Sequence, residues 1–174
     1  MWVFGYGSLL WNPGFEYQEQ SVATLPGWHR SFCMRSIHHR GTTDDPGLVL
    51  ALDARDGSHC QGLALSVASV DWKRTLDYLR ERELISSAYL EKVLPIRLAN
   101  GRYVDALTYV IDPGHVQYCN LDVEEQAKII ARAVGGRGPN TEYLHNTASR
   151  LEKLGIKDAD LDRLSARVRE LTII

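Results

Sequence analysis

The sequence predicts an α+β fold: one domain over residues 1–174, strands first and helices last, with a sheet that closes or curves strongly. Three observations carry this. Short β-branched and aromatic segments bounded by Gly, Pro or Asn-Gly fill the first two-thirds of the chain. One amphipathic stripe around Leu76 interrupts them, and from Asp122 onward helical periodicity takes over completely.

The strands come in order. Trp2 to Tyr6 is aromatic and β-branched and stops at Gly7. Val22 to Leu25 ends at the turn pair Pro26-Gly27, and Trp28 to His38 alternates loosely, with Phe32 and Met34 in phase. Leu48 to Leu52 and Gly62 to Val67 are apolar runs, and Asp56-Gly57 between them reads as a hairpin turn. Lys92 to Leu98 and Tyr103 to Ile111 flank Asn100-Gly101, the strongest hairpin signal in the chain. The interrupting helix begins at Asp71, a candidate cap, and carries Trp72, Leu76 and Leu79 on one face. A second helix starts with the capping box Asp122 and Glu125, shows Ala127, Ile130 and Val134 on one stripe, and ends at Gly135-Gly136. Asn140 reads as the cap of a third helix with Tyr143, Leu144, Ala148 and Leu151 behind it and Gly155 as its stop. Leu161, Leu164, Val168 and Leu171 mark the last.

Composition narrows the function classes. At 44% apolar and 24% charged residues, the chain has the balance of a packed globular protein, not a disordered one. A net charge of −2 leaves no basic footprint for nucleic acid or an anionic membrane surface, so neither is expected as a partner. No run approaches the roughly 20 apolar residues of a membrane-spanning helix. Met1 to Gly7 also lacks the basic and apolar regions of a secretory signal. Cys33, Cys60 and Cys119 are far apart and odd in number, which favours buried thiols in a reducing, cytoplasmic setting over a disulfide framework.

Two features point to chemistry. The first is the segment Gly5-Tyr6-Gly7-Ser8-Leu9 after the first strand. Its glycines let backbone approach a ligand, and its amides form an anion nest; the alternative is a plain strand-exit turn. It is neither a dinucleotide fingerprint nor a serine-hydrolase elbow, since Leu10 and Tyr6 stand where each needs glycine. The second is Glu83, within roughly 20° of Trp72 around the helix axis and so on the apolar stripe, whereas Glu81 faces away. Burial and the negative helix end both disfavour its charge, as a general base working near neutral pH requires. The alternatives are a salt bridge to Arg82 or another arginine, or a helix that ends early and leaves Glu83 solvated. The histidines argue against a metal: His38 and His39 are adjacent and on a strand would face opposite ways, and His29, His59, His115 and His145 are isolated. Arg40-Gly41 reads by default as a solvated loop, and otherwise as a turn with an anion-facing guanidinium.

The opening Met1-Trp2-Val3-Phe4-Gly5-Tyr6-Gly7-Ser8-Leu9-Leu10-Trp11 resembles that of the ChaC-type, glutathione-specific γ-glutamylcyclotransferases. The resemblance continues in family order at His39-Arg40-Gly41, at Tyr78-Leu79-Arg80-Glu81-Arg82-Glu83 and at Gly138-Pro139-Asn140-Thr141-Glu142-Tyr143-Leu144. After Glu83 the family often has a Gly-rich turn, where this chain has Leu84 to Tyr89.

The resemblance implies a small mixed β-barrel flanked by helices, with a helical C-terminal third. It implies that Glu83 is catalytic and that Val3, Phe4, Gly5, Tyr6, Gly7, Ser8 and Leu9, together with Tyr143, bind substrate. The reaction it implies is attack of the γ-glutamyl α-amine of glutathione on its own side-chain amide, giving 5-oxoproline and Cys-Gly without a metal or organic cofactor. Two other readings stay open on the residues: a non-catalytic small-anion binding module, and a cyclotransferase for other γ-glutamyl amines.

Overall fold

The computed structural model describes residues 1–85 and 87–173. Five strands close a barrel: β1 (Trp2–Gly5), β2 (Glu19–Ser36), β3 (Gly47–Ser66), β4 (Tyr89–Leu98) and β5 (Tyr103–Ile111), in the spatial order β1-β3-β2-β4-β5. Neighbours are antiparallel except at the closing seam, where β5 runs parallel to β1 through Trp2–Ala106 and Val3–Leu107. Helix α1 (Trp72–Glu83) lies between β3 and β4 in sequence. After the barrel come α2 (Val123–Arg132), a two-residue ribbon of β6 (Val134–Gly135) and β7 (Gly138–Pro139), α3 (Asn140–Lys153) and α4 (Ala159–Thr172). No helix among the described residues is long and apolar enough to cross a membrane.

Two expected turns are absent. Pro26-Gly27 and Asp56-Gly57 do not end strands; β2 and β3 run past them as one long ribbon. The register jumps from Pro26–His59 to Trp28–Ala54, which leaves Gly27 opposite residues 55–58. Gly27 and Gly57 take left-handed φ of 86° and 79°, so the turn-forming residues make a bulge that bends the ribbon around the barrel. Asn100-Gly101 does form its hairpin, with Gly101 at φ 88°.

Strand alternation divides the core. Phe4 joins the large cluster that reaches Leu50, Leu65, Ile96, Ile130, Leu144 and Val168, whereas its neighbour Val3 faces the other way. Val3, Leu9, Val67, Leu107 and Tyr109 form the bed on which Leu79 of α1 sits.

Helix starts follow the sequence with two exceptions. The Asp122–Glu125 capping box is present, and Asp158, unflagged by pattern, caps α4 at Leu161 N–H. Asp71 precedes α1 but makes no capping bond, its carboxylate being taken by Arg74. Asn140 is the first helical residue, not the cap; Pro139 holds the cap position. Helix α2 stops at Arg132, so Val134 leaves the helical stripe and is exposed in β6.

Candidate active site

The Asn140 side chain is spent on a strand edge. Over Leu48 and Leu50, the edge of β3 away from β2 has no strand beside it among the described residues. Asn140 replaces one: its Oδ1 accepts from Leu48 N–H at 2.7 Å and its Nδ2 donates to Leu48 O at 2.8 Å. One helical turn on, Tyr143 Oη accepts from Leu50 N–H at 3.1 Å, and Tyr89 Oη donates to Leu50 O at 2.8 Å. The i, i+3 spacing of Asn140 and Tyr143 puts both on the helix face that meets this edge. The hydroxyl proton of Tyr143 is not used in that bond, which leaves it free to donate.

These tyrosines floor a cleft of about 270 Å³, near the lower end for small-molecule sites. Its inner end is lined by Phe4, Tyr6, Gly7, Ser8, Leu9 and Tyr109, and Glu83, Tyr89 and Tyr143 face both ends. Of the residues singled out from sequence, Ser8, Glu83 and Tyr143 thus line the cleft, with Phe4, Tyr6, Gly7 and Leu9 at its inner end. Val3 and Gly5 do not line it: Val3 packs under α1, and Gly5 lies against Leu9.

The glycine turn is held from several sides. Tyr6 O accepts from the buried Arg30 guanidinium at 3.1 Å, and Tyr6 Oη donates to Tyr109 O at 2.6 Å. The amides of Gly7, Ser8 and Leu9 meet no acceptor among the described residues. Gly7 does not take a left-handed φ, and a Cβ there would crowd the Tyr143 hydroxyl, which stands 3.0 Å away.

Glu83 is the last residue of α1, its side chain only 14% exposed, while Glu81 is exposed. Arg82 Nε lies 3.3 Å from Glu83 Oε1, so the anticipated salt bridge exists. Burial nevertheless outweighs it and the charge of Arg137, and holds the Glu83 carboxyl above the usual carboxylate range. Arg82 also donates to Ser8 Oγ at 2.9 Å and to Asn12 O at 2.6 Å, which ties the end of α1 to the glycine turn. The buried face of α1 is Thr75, Leu79 and Arg82, rotated from the apolar stripe toward this guanidinium.

Sequence reasoning missed the rest of the wall. His38 and His39 do not alternate on a strand; β2 ends at Ser36, and both line the cleft from the bend that follows. Arg40 is not solvated. It is buried, donates to Pro139 O at 3.0 Å, lies 3.4 Å from Glu142 Oε1, and stands over the rings of Trp11 and Tyr143. Apart from its place in the His39-Arg40-Gly41 block, no signal in the sequence separates such an arginine from a surface one. Among the described residues no three His, Cys, Asp or Glu side chains gather as a metal site.

A family model described as "ChaC-like protein" matches residues 1–171. The chain belongs to the ChaC-like family. The glutathione-specific gamma-glutamylcyclotransferase of Escherichia coli K12 is 39% identical over 173 residues, covering 98% of this chain and 74% of the relative. The Schizosaccharomyces pombe protein of the same name is 33% identical, covering 98% and 93%. The crystal structure of a yeast gamma-glutamyl cyclotransferase specific to glutathione superposes with a TM-score of 0.89 at 22% identity, over 98% of this chain and 96% of that one, which establishes the shared fold. In this ChaC-like chain, then, the glycine turn, the end of α1 and the start of α3 converge from distant parts of the sequence on one cleft.

Proposed function

We propose that this protein is a γ-glutamylcyclotransferase that cleaves glutathione to 5-oxoproline and Cys-Gly, carried by residues 1–174 as one domain and acting in the cytoplasm. The observation that carries the reading is Glu83, a carboxylate held at raised pKa in a cationic cleft within a ChaC-like chain. Its E. coli and S. pombe relatives bear that activity in their names.

The nucleophile belongs to the substrate, so the protein needs none of its own. The cleft's task is to fold the γ-glutamyl group until its α-nitrogen reaches its own γ-carbonyl. Glu83 accepts a proton from the α-ammonium and frees the amine to attack. The new C–N bond closes the five-membered lactam, and negative charge gathers on the carbonyl oxygen. The turn amides of Gly7 to Leu9 and the Tyr143 hydroxyl are the donors for that oxygen and for the γ-glutamyl carboxylate. Glu83 returns its proton to the cysteinyl nitrogen as that C–N bond breaks, and the second proton of the ring nitrogen passes to the same amine, which leaves as the ammonium of Cys-Gly.

Incubation with glutathione followed by mass spectrometry tests this: 5-oxoproline and Cys-Gly are expected in equal amounts. Free glutamate in their place would make water the nucleophile and the protein a hydrolase.

A further inference from the structure

Glu83 faces both ends of the cleft, and the inner end is closed by Phe4, Tyr6, Tyr109 and the glycine turn. A γ-glutamyl group seated in the wider cleft over that narrow end, with its amine toward Glu83, directs its amide substituent outward. What it meets outside is not spent on the protein in equal measure. Gln117 donates to Arg35 O, Arg40 to Pro139 O, and Arg82 to Ser8 and Asn12. His39 differs: its Nε2 is buried with no hydrogen-bond partner among the described residues. A buried nitrogen with no protein partner is a hydrogen-bonding position left open to a bound molecule at this wall of the cleft.

Arg137 stands beside it. It is exposed, lines the same outer cleft, and among the charges acting on His39 is the strongest. The backbone fixes the two together, since Arg137 N–H donates to His39 O at 2.9 Å and Gly136 N–H to His38 O at 2.8 Å. Gly135 presses so closely on the backbone of His39 to Gly41 that no Cβ fits between them. The β6–β7 ribbon and the bend after β2 therefore form one unit at the mouth.

We propose that His39 and Arg137 form the subsite for the leaving half of the substrate, His39 Nε2 hydrogen-bonding its peptide group and Arg137 its terminal carboxylate; this rests on the γ-glutamyl reading above. The two ends of a Cys-Gly fragment match them in kind. Burial and the cations Arg137, His38, Arg82 and Arg40 hold the His39 pKa at about 4, so the ring is neutral in the physiological range and suits a neutral peptide group. Arg137 keeps its charge for the carboxylate. The pair thus makes the cleft read a dipeptide leaving group, not merely tolerate one.

The test compares kcat/KM for glutathione and for glutathione with a C-terminal carboxamide. In the wild type the carboxamide should cost about tenfold, the worth of one partly exposed charge-assisted hydrogen bond. Arg137→Met should lose the same factor on glutathione and nothing further on the carboxamide. Equal loss on both compounds, or none on either, overturns the carboxylate assignment. His39→Leu should lose roughly 10- to 100-fold on both, mainly through KM, and His39→Asn should recover part of it. Full activity in His39→Leu, or no recovery in a folded His39→Asn, overturns the peptide contact. A wild type that forms no 5-oxoproline would overturn the functional reading itself, a result distinct from either.

Discussion

A larger cavity than the candidate site, about 520 Å³, lies where the β2–β3 ribbon meets the segment before α2 and the start of α4. It holds as much ionisable chemistry, but its buried Arg30 and its Asp53 already have partners. Arg30 pairs with Asp158 at 3.1 Å, and Asp53 accepts the Tyr118 hydroxyl at 2.7 Å. Burial pushes the Cys33 thiol up to about 12 and raises that of Cys119, so neither is a nucleophile at neutral pH. The smaller cleft, at about 270 Å³, keeps a raised-pKa carboxylate and, among the described residues, an imidazole nitrogen and turn amides without partners. The contrast teaches that unspent hydrogen-bonding capacity, not volume, marks a site.

The strongest way to break the comparison is at Glu83. Glu83→Gln keeps the shape and removes the base, so kcat should fall by roughly 10²–10⁴ while glutathione binding is largely kept. Glu81→Gln, on the exposed face, should stay near wild type; equal losses in steady-state assays of the two variants would cancel the distinction between them.

Asn140→Ala acts on the wall of the cleft. It strands the buried N–H and C=O of Leu48, and chemical denaturation should show a loss of about 2–4 kcal/mol. A loss under about 1 kcal/mol, the scale of an ordinary helix cap, would mean that the strand edge does not depend on this side chain.

A third expectation is pH dependence. The base must be unprotonated, and burial holds its folded pKa above that of a solvated carboxylate, so kcat/KM should decline on the acid side with a midpoint above the ordinary carboxylate range. The stability sign follows. A carboxyl with raised folded pKa favours the folded state most below its unfolded pKa and loses that advantage as pH rises through the folded one. Glu83→Gln should therefore melt above wild type at pH 7, with the gap closing on acidification in calorimetric scans.

The smallest effect is expected in the larger cavity. Asp53→Asn removes a charge but keeps an acceptor for the Tyr118 hydroxyl, so turnover of glutathione should stay within about twofold of wild type. A loss comparable to that of Glu83→Gln would move the chemistry out of the cleft.

The sequence by itself determined whatever depends on neighbours along the chain. Helical phase placed Glu83 on the apolar side of α1, the Asp122–Glu125 box started α2, and Asn100-Gly101 turned the last hairpin, because these effects act within one turn or one loop. Turn chemistry misled at Pro26-Gly27 and Asp56-Gly57, where a local preference for a bend is met by a bulge as readily as by a reversal. Only the tertiary structure decided how far each side chain's valence was already used. Asn140 reads as a cap until β3 presents an unpaired edge to it; Arg40 reads as solvated until Trp11, Tyr143 and Glu142 surround it; His39 reads as one of two alternating histidines until the β6–β7 ribbon closes over the bend. Each depends on at least one group about ninety residues or more away in sequence. Hydrogen bonding and desolvation are set by whatever comes within a few ångströms in space, and residue order leaves that open.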